Sequence, residues 1–347
     1  MTQSNQAYSY LFERPRDLIE QFIHQAEKVV VGKREVIEKA FIAILCGGHI
    51  LLEDVPGVGK TLLAKTLAGI VGCSFKRIQF TPDLMPGDVT GVTVFNQKST
   101  EFEFRPGPIM TNLVLADEIN RTSPRTQAAL LEAMEERSVT VDGRTYPLPE
   151  PFILLATQNP LDFEGTMPLP EAQMDRFFMR LHMGYPDKRQ EAAMLGNLHG
   201  KHPIGSIKPV IVSEELILLQ NEVRDVHVDD SLKQYIVSLA QATREDPDIL
   251  LGASPRASFA LMRASQAQAW VLGRTYVIPD DIKMMLEPVL AHRLVLKPDA
   301  RLAGKSVGEI LQFLSENISV PQIGQTVIRE DAAAASEGAA VRKKVFW

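Results

Sequence analysis

Between Leu51 and Thr61 the chain reads LLEDVPGVGKT, the stretch with the clearest capacity for chemistry. A short apolar strand runs into a loop with two glycines and then into the helical pattern TLLAKTLAGI. Gly57 and Gly59 let the backbone turn its N–H groups inward around phosphate oxygens, and the following helix adds the positive end of its dipole. In such a loop Lys60 reaches the β and γ phosphates of a nucleotide, and the Thr61 hydroxyl ligates Mg²⁺. The usual spacing, G-x-x-x-x-G-K-[ST], wants glycine at position 54, where this chain has Asp54. The PGVGKT core is untouched by that departure. Taken alone, a Gly-Lys-Thr turn holding no ligand is the plain alternative.

Two further runs end in groups that suit the same chemistry. NLVLADEINR, residues 112 to 121, is a short apolar strand closing on two acids. In a parallel sheet this puts Asp117 and Glu118 at the carboxyl end, where ligands bind. Asp117 is then placed to hold Mg²⁺ or its water, and Glu118 to orient and deprotonate the water that attacks the γ phosphate. By itself an Asp-Glu pair after an apolar run is commonly a solvated strand end; behind a phosphate loop in a βαβ context the reading reverses. PFILLATQN ends in Gln158-Asn159, and an amide there can hydrogen-bond the attacking water or a γ phosphate oxygen without adding charge. Alone, it would only cap the strand and open the Asn159-Pro160 turn.

These groups need a scaffold, and from about residue 12 to 185 helical patterns alternate with short apolar runs, the signature of βα units and a mostly parallel sheet. The spacing predicts core strands at Ile50 to Glu53, Phe75 to Phe80, Leu113 to Asp117, Phe152 to Thr157 and Phe178 to His182. Val89 to Arg105 alternates around a polar centre, and Ser138 to Leu148 carries Asp142-Gly143, a two-residue hairpin turn. Both read as hairpins inserted in the βα alternation, or as ordinary edge hairpins. Past Tyr185-Pro186 a polar helix and loop lead into an all-α region, residues 211 to 320. There Ser306 and Glu309 form a capping box before Val307, Ile310, Leu311 and Leu314, and Ser254-Pro255 opens a helix that reaches Gly273. The predicted organisation is an N-terminal helix and approach over 1–28, an α/β nucleotide-binding domain over 29–186 with hairpins near 89–105 and 138–148, a linker over 187–210, an all-α domain over 211–328 and a loose tail over 329–347.

Composition agrees with a folded chain of this size. The 347 residues are 45 % apolar, 23 % charged and 7 % aromatic, an ordinary globular profile that excludes disordered, collagenous and disulfide-stapled classes. The net charge of -6 supplies no chain-wide basic field for nucleic acid or an anionic membrane. Cys46 and Cys73 lie far apart in apolar contexts without a CxxC, which reads as two structural thiols. The seven histidines are scattered, with no pairing at metal-ligand spacing. MTQSNQAYSYLFERP lacks the basic and apolar regions of a leader, and no apolar run approaches a membrane span, so the chain reads as cytoplasmic.

Taken together, LEDVPGVGKT, DEINR, ATQNP and LPEAQMDRF resemble the AAA+ ATPases and, within them, the MoxR group, over roughly residues 30 to 320. The resemblance implies an α/β AAA+ core of the P-loop NTPase kind with a parallel sheet, followed by a small all-α lid. It implies Mg²⁺-dependent hydrolysis of ATP to ADP and phosphate at the subunit interfaces of a ring, most simply a hexamer. Val31 and Gly32 match the segment that contacts adenine. Pro56, Gly57, Val58, Gly59, Lys60, Thr61 and Leu62 match the phosphate loop and first helical turn, and Thr61 and Asp117 the metal ligands. Beside Glu118, the resemblance makes Asn159 the polar sensor, Arg176 an arginine finger acting on the adjacent subunit's ATP, and Arg256 a second sensor reaching the γ phosphate of its own subunit's ATP. By analogy the two hairpins rim a central pore. The implied work is chaperone-like remodelling or maturation of a client or adaptor, with metal-cofactor insertion and von Willebrand factor A domain partners in prospect.

Three other readings compete. A chelatase-like subunit would work beside a large porphyrin-binding partner. A nucleic-acid motor is disfavoured by the acidic balance and would show salt-dependent DNA binding. A non-catalytic scaffold using ATP as a structural ligand would have no need of Glu118, Asn159 and Arg176.

Overall fold

The computed structural model describes residues 15–159, 167–196 and 203–321. The first fourteen residues, residues 160–166 and 197–202, and the tail expected from 329 onward lie outside the described residues. Two helices come first, α1 (Pro15–Glu27) and α2 (Arg34–Leu45). Their apolar faces meet through Phe22 and Phe41, with ring centroids 4.2 Å apart.

Next come β1 (Ile50–Glu53), α3 (Lys60–Ile70), β2 (Phe75–Gln79), the short α4 (Pro86–Thr90), β3 (Gly91–Asn96), β4 (Glu101–Pro106) and β5 (Leu113–Asp117). After these follow α5 (Pro124–Glu136), β6 (Ser138–Val141), β7 (Arg144–Pro147), β8 (Ile153–Gln158), α6 (Glu171–Met174) and β9 (Met179–Leu181). Five of the strands form one sheet in the order β2-β5-β8-β1-β9, every neighbouring pair parallel. Each lies within a residue or so of its expected position.

Period-two alternation divides the sheet between two cores. Ile50, Leu52, Leu113, Leu115, Ile153 and Leu155 face a large core shared with α1, α2, α3 and the C-terminal helices. Leu51, Val114, Ala116, Leu154 and Ala156 face a second core completed by α5 and the base of the hairpins. Because both faces are covered, β5 is buried along its whole length.

The hairpins β3–β4 and β6–β7 are antiparallel ribbons outside the main sheet. Asp142 and Gly143 both have positive φ, +49° and +74°, as a tight two-residue hairpin turn requires. Phe104 and Tyr146 stack at 3.9 Å and join one ribbon to the other. Phe95 and Phe102 pack edge to face at 5.3 Å and stay largely exposed.

Beyond the sheet lie α7 (Lys188–Gly196), α8 (Ser213–Arg224), α9 (Asp230–Glu245), β10 (Ile249–Leu251), α10 (Pro255–Val271), α11 (Pro279–Leu290), β11 (Val295–Leu296), α12 (Pro298–Leu302) and α13 (Val307–Asn317). The Ser306 hydroxyl accepts from Glu309 N–H, while the Glu309 carboxylate accepts from Ser306 N–H, which starts α13 as its capping box predicts. Ser254 caps α10, and Gly273 follows it with φ +73°. This region also holds a small antiparallel ribbon, β10 with β11, that the sequence reading did not include. Strands of three and two residues are too short to display an alternation.

Cys46 is partly buried, its thiol donating to Arg263 O at 3.3 Å, and desolvation pushes the thiol up to about 12. It is a packing group, like Cys73, whose thiol burial pushes up to about 11.

One buried histidine gives the core a pH dependence. His49 Nδ1 accepts the Leu154 N–H at 3.0 Å, so the ring is neutral and donates from Nε2 to Met134 O at 3.2 Å. Burial pushes its pKa down to about 4. The unfolded chain therefore binds a proton here near pH 6.5 that the folded chain refuses until about pH 4. The stability from the neutral ring is present above pH 6.5 and is lost as pH falls towards 4, about 3 kcal/mol in all. Urea unfolding from pH 7 to 4 should show this loss, and His49→Gln should flatten that part of the curve. Equal slopes in both proteins would refute the assignment.

Candidate functional site

The site forms at the carboxyl ends of β1, β5 and β8, which lie side by side in the sheet. Glu53 pairs in register with Gln158, and Ala116 with Ala156, so the three strand ends come level. This is the edge at which open parallel sheets bind ligands.

The loop from Pro56 to Gly59 leads into α3, whose first residues are Lys60, Thr61 and Leu62. Gly57 and Gly59 have φ of +88° and +97°, values a side-chain-bearing residue rarely adopts. A Cβ built on Gly57 meets nothing within 4 Å, so the backbone there borders open space, as a phosphate cradle requires. Val58 packs partly buried against the main core and fixes the loop from beneath. Lys60 Nζ donates to Asp54 O at 2.5 Å. Burial lowers its pKa, opposed by the carboxylates of Asp54, Asp117, Glu118 and Glu53.

Asp54, standing where the usual motif has glycine, is buried, and its carboxylate accepts the N–H groups of Met183 and Gly184. It ties the phosphate loop to the segment leaving β9. Close by, Lys33 donates to Tyr185 O at 3.0 Å and Gln190 to Gly32 O at 3.3 Å. The segment holding Val31 and Gly32 is thereby fastened to the same exit.

Asp117 and Glu118 end β5 in a dense network. Thr61 Oγ1 lies 3.4 Å from Asp117 Oδ2, a hydroxyl and a carboxylate that together make a hard-oxygen donor pair of the kind Mg²⁺ takes. Thr157 donates to Asp117 Oδ1 at 2.6 Å and accepts the Glu118 N–H at 2.8 Å, so one hydroxyl on β8 fixes both acids. Arg77 of β2 reaches Asp117 Oδ2 through Nε at 2.9 Å and Nη2 at 2.7 Å. Glu118 has left-handed φ and ψ, 58° and 51°, and its Oε2 accepts from Gln79 at 2.9 Å and Arg121 at 3.0 Å. Strain of this kind in a non-glycine residue is held only where the surroundings impose it.

Asn159 follows β8 directly, and its carbonyl accepts from Asn120 Nδ2 at 3.4 Å. Asn120 Oδ1 and Gln158 Oε1, two buried acceptors on the segments that follow β5 and end β8, are left without a protein partner among the described residues.

The two arginines lie elsewhere. Arg176 Nε meets Glu135 Oε2 at 3.1 Å, and Arg256 pairs with Oε1 of the same carboxylate. Glu135 lies in the last turn of α5, whose first residue, Pro124, follows Glu118 by six positions. Eleven steps of helix carry the chain from Pro124 to Glu135, about 16 Å along the axis. The structure therefore gathers Lys60, Thr61, Asp117, Glu118 and Asn159 at one edge and sets Arg176 beside Arg256 at another. The resemblance had assigned Arg256 to its own subunit's nucleotide.

Sequence reading missed Arg77, Gln79, Thr157 and Glu135. Thr157 left a faint signal, a hydroxyl next to the strand-end amides. Arg77 and Gln79 alternate along β2, but nothing local shows that this face meets the acids.

A parallel sheet with a phosphate loop after β1, an acid pair after β5, strand-end amides after β8 and a helical region behind it defines a P-loop nucleotide-binding protein with a lid. Comparison with known proteins specifies the kind. The ATPase family associated with various cellular activities (AAA) matches residues 49–179, and the AAA lid domain matches 241–313. Chaperone MoxR1 of Mycobacterium tuberculosis (strain ATCC 25618 / H37Rv) is 39 % identical over 335 residues, 92 % of this chain and 88 % of that protein. YeaC of Bacillus subtilis (strain 168) is 53 % identical over 304 residues, 88 % of this chain and 95 % of its own. A crystal structure from Cytophaga hutchinsonii superposes with a TM-score of 0.82 at 40 % identity, covering 89 % of this chain and 96 % of that one. The chain belongs to the MoxR family of AAA+ ATPases.

Proposed function

We propose that this protein hydrolyses ATP at interfaces between copies of itself in a ring, most simply a hexamer, and uses the cycle to remodel or mature a partner protein. One observation carries the interface reading: Arg176 and Arg256 converge on Glu135, a helix length away from the acids of their own subunit. Each subunit then holds a phosphate cradle without its arginines and an arginine pair without a cradle. A second copy supplies what the first lacks. This reading has Arg256 act on the neighbour's nucleotide, beside Arg176.

The residues divide the work in a way their chemistry supports. The loop Pro56 to Gly59 and the first turn Lys60, Thr61 and Leu62 hold the phosphates, Lys60 supplying the cation, while Val31 and Gly32 border the base. Thr61 and Asp117 would hold Mg²⁺, which when bound would neutralise charge on the transferring phosphoryl group. Glu118 takes the proton of the attacking water, and Asn159 orients that water or a γ phosphate oxygen by hydrogen bonds. Arg176 and Arg256 from the adjoining copy offset the charge that develops on the phosphate, so hydrolysis depends on assembly.

The name of the Mycobacterium relative, a chaperone, supports remodelling as the output. On the MoxR resemblance we infer a client or adaptor bearing a von Willebrand factor A domain, with metal-cofactor insertion as one form of maturation. We also infer action in the cytoplasm; among the described residues no helix is long and apolar enough to cross a membrane.

The test is Mg²⁺-dependent phosphate release measured across a dilution series, with light scattering on the same samples. Activity per subunit should rise steeply as assembly sets in. Constant activity per subunit down to the monomer would overturn the interface reading.

A further inference from the structure

The turn after α11, Ala291–Arg293, carries an arginine and a histidine buried at 6 % and 7 % exposure. Arg293 spends nearly all of its donors on one short stretch of chain. Its Nε donates to Asp175 Oδ1 at 2.9 Å, Nη1 to Phe178 O at 3.2 Å, and Nη2 to Phe177 O at 2.6 Å and Asp175 O at 3.3 Å. A further bond, to Val289 O, joins it to its own helix. His292 Nε2 adds a contact to Phe177 O at 2.9 Å. Residues 175, 177 and 178 flank Arg176 on both sides.

The grip has a second point. Ser254 Oγ donates to the Asp175 carboxylate at 3.0 and 3.2 Å. Ser254 is the cap of α10, and Arg256 is the second residue of that helix. Asp175 thus joins the start of α10 to the end of α11, with Arg176 next to it in the chain. Burial lowers the Arg293 pKa to about 10, with Asp175 opposing the shift, so the group remains a cation at neutral pH. A buried cation with its hydrogen bonds satisfied costs far less than an unpaired one, and only a planar fork can serve a carboxylate and several carbonyls at once.

We propose that Arg293 is a positioning residue: it locks the backbone around Arg176 to the lid, so that Arg176 and Arg256 move as one unit and meet a neighbour's nucleotide at fixed separation. This deepens the interface reading above and rests on it. Rotation of one subunit's lid then moves the arginines that serve the next subunit's ATP. Val289 and the turn after α11 become the lever, and Asp175 the pin.

The experiment uses full-length Arg293→Lys, which keeps the charge and loses the fork. In the folded, assembled variant kcat should fall roughly 10- to 100-fold, the cost of a small misplacement of a reacting group, while KM and the affinity for a fluorescent ATP analogue stay within about twofold. Mixing it with Glu118→Gln subunits should restore hydrolysis, because those subunits bring intact arginines to the variant's intact Glu118. A kcat within twofold of wild type, or a loss that mixing leaves uncorrected, overturns the proposal. Should Arg293→Lys fail to fold by circular dichroism, Asp175→Asn is held to the same outcomes. Arg176→Ala mixed with Glu118→Gln is the control: no recovery there refutes the interface reading and the proposal with it, whereas recovery there without recovery for Arg293→Lys refutes the proposal alone.

Discussion

Glu118→Gln should abolish turnover while leaving ATP bound. A carboxamide has nearly the shape of a carboxylate, and its oxygen can still accept the Gln79 and Arg121 hydrogen bonds that reach Glu118 Oε2 at 2.9 and 3.0 Å. The backbone N–H remains on Thr157, so the left-handed turn at this position keeps its support. What disappears is the basic site that the proposed mechanism gives the water's proton. General-base catalysis typically contributes about 10²- to 10⁴-fold, and the loss in kcat should fall in that range. Phosphate release gives the rate, and titration with a fluorescent ATP analogue gives the affinity, expected to match wild type. Hydrolysis within a few fold of wild type would show that Glu118 does not activate the water.

Arg176→Ala should have an effect at least as large and of a different kind. An arginine delivered in trans to a phosphoryl group is worth about 10³- to 10⁵-fold in kcat. Its removal leaves the variant's own phosphate loop, Asp117 and Glu118 untouched, so nucleotide affinity should hold. Glu135 keeps Arg256 as a partner, and its carboxylate is 37 % exposed, so little stability should be lost. The distinguishing measurement is complementation: Arg176→Ala and Glu118→Gln, each inactive alone, should recover ATP hydrolysis when mixed before assembly. An Arg176→Ala protein with full activity would remove the arginine from the mechanism.

The two substitutions probe groups of unequal visibility in the sequence. Glu118 sits in a run where everything it needs is local: an apolar strand, two acids at its end, and a phosphate loop upstream. Arg176 has no such setting, and its reading came from the likeness of LPEAQMDRF to a family. Nothing near residue 176 in the chain reveals that it shares a carboxylate with Arg256. The same holds for Asp54, which read as a departure from a motif and proved to be a buried acid accepting two N–H groups from the segment after β9.

The βα alternation, the two hairpins, the capped C-terminal helices and the phosphate loop were all determined by the sequence itself. Each is a matter of residues a few positions apart: period-two burial along a strand, Asp-Gly at a turn, Ser and Glu three apart at a helix start, glycines where φ must be positive. The tertiary structure decided which of these pieces meet. Arg77 reaches Asp117 across 40 positions, Thr157 reaches it from 40 on the other side, and Arg256 reaches Glu135 across 121. Those pairings follow from the strand order β2-β5-β8-β1-β9 and from how the C-terminal helices seat against β9. Sheet order and helix docking depend on the whole buried surface at once, and no local spacing encodes them, so the acids were legible in one dimension and the side chains that hold them were not.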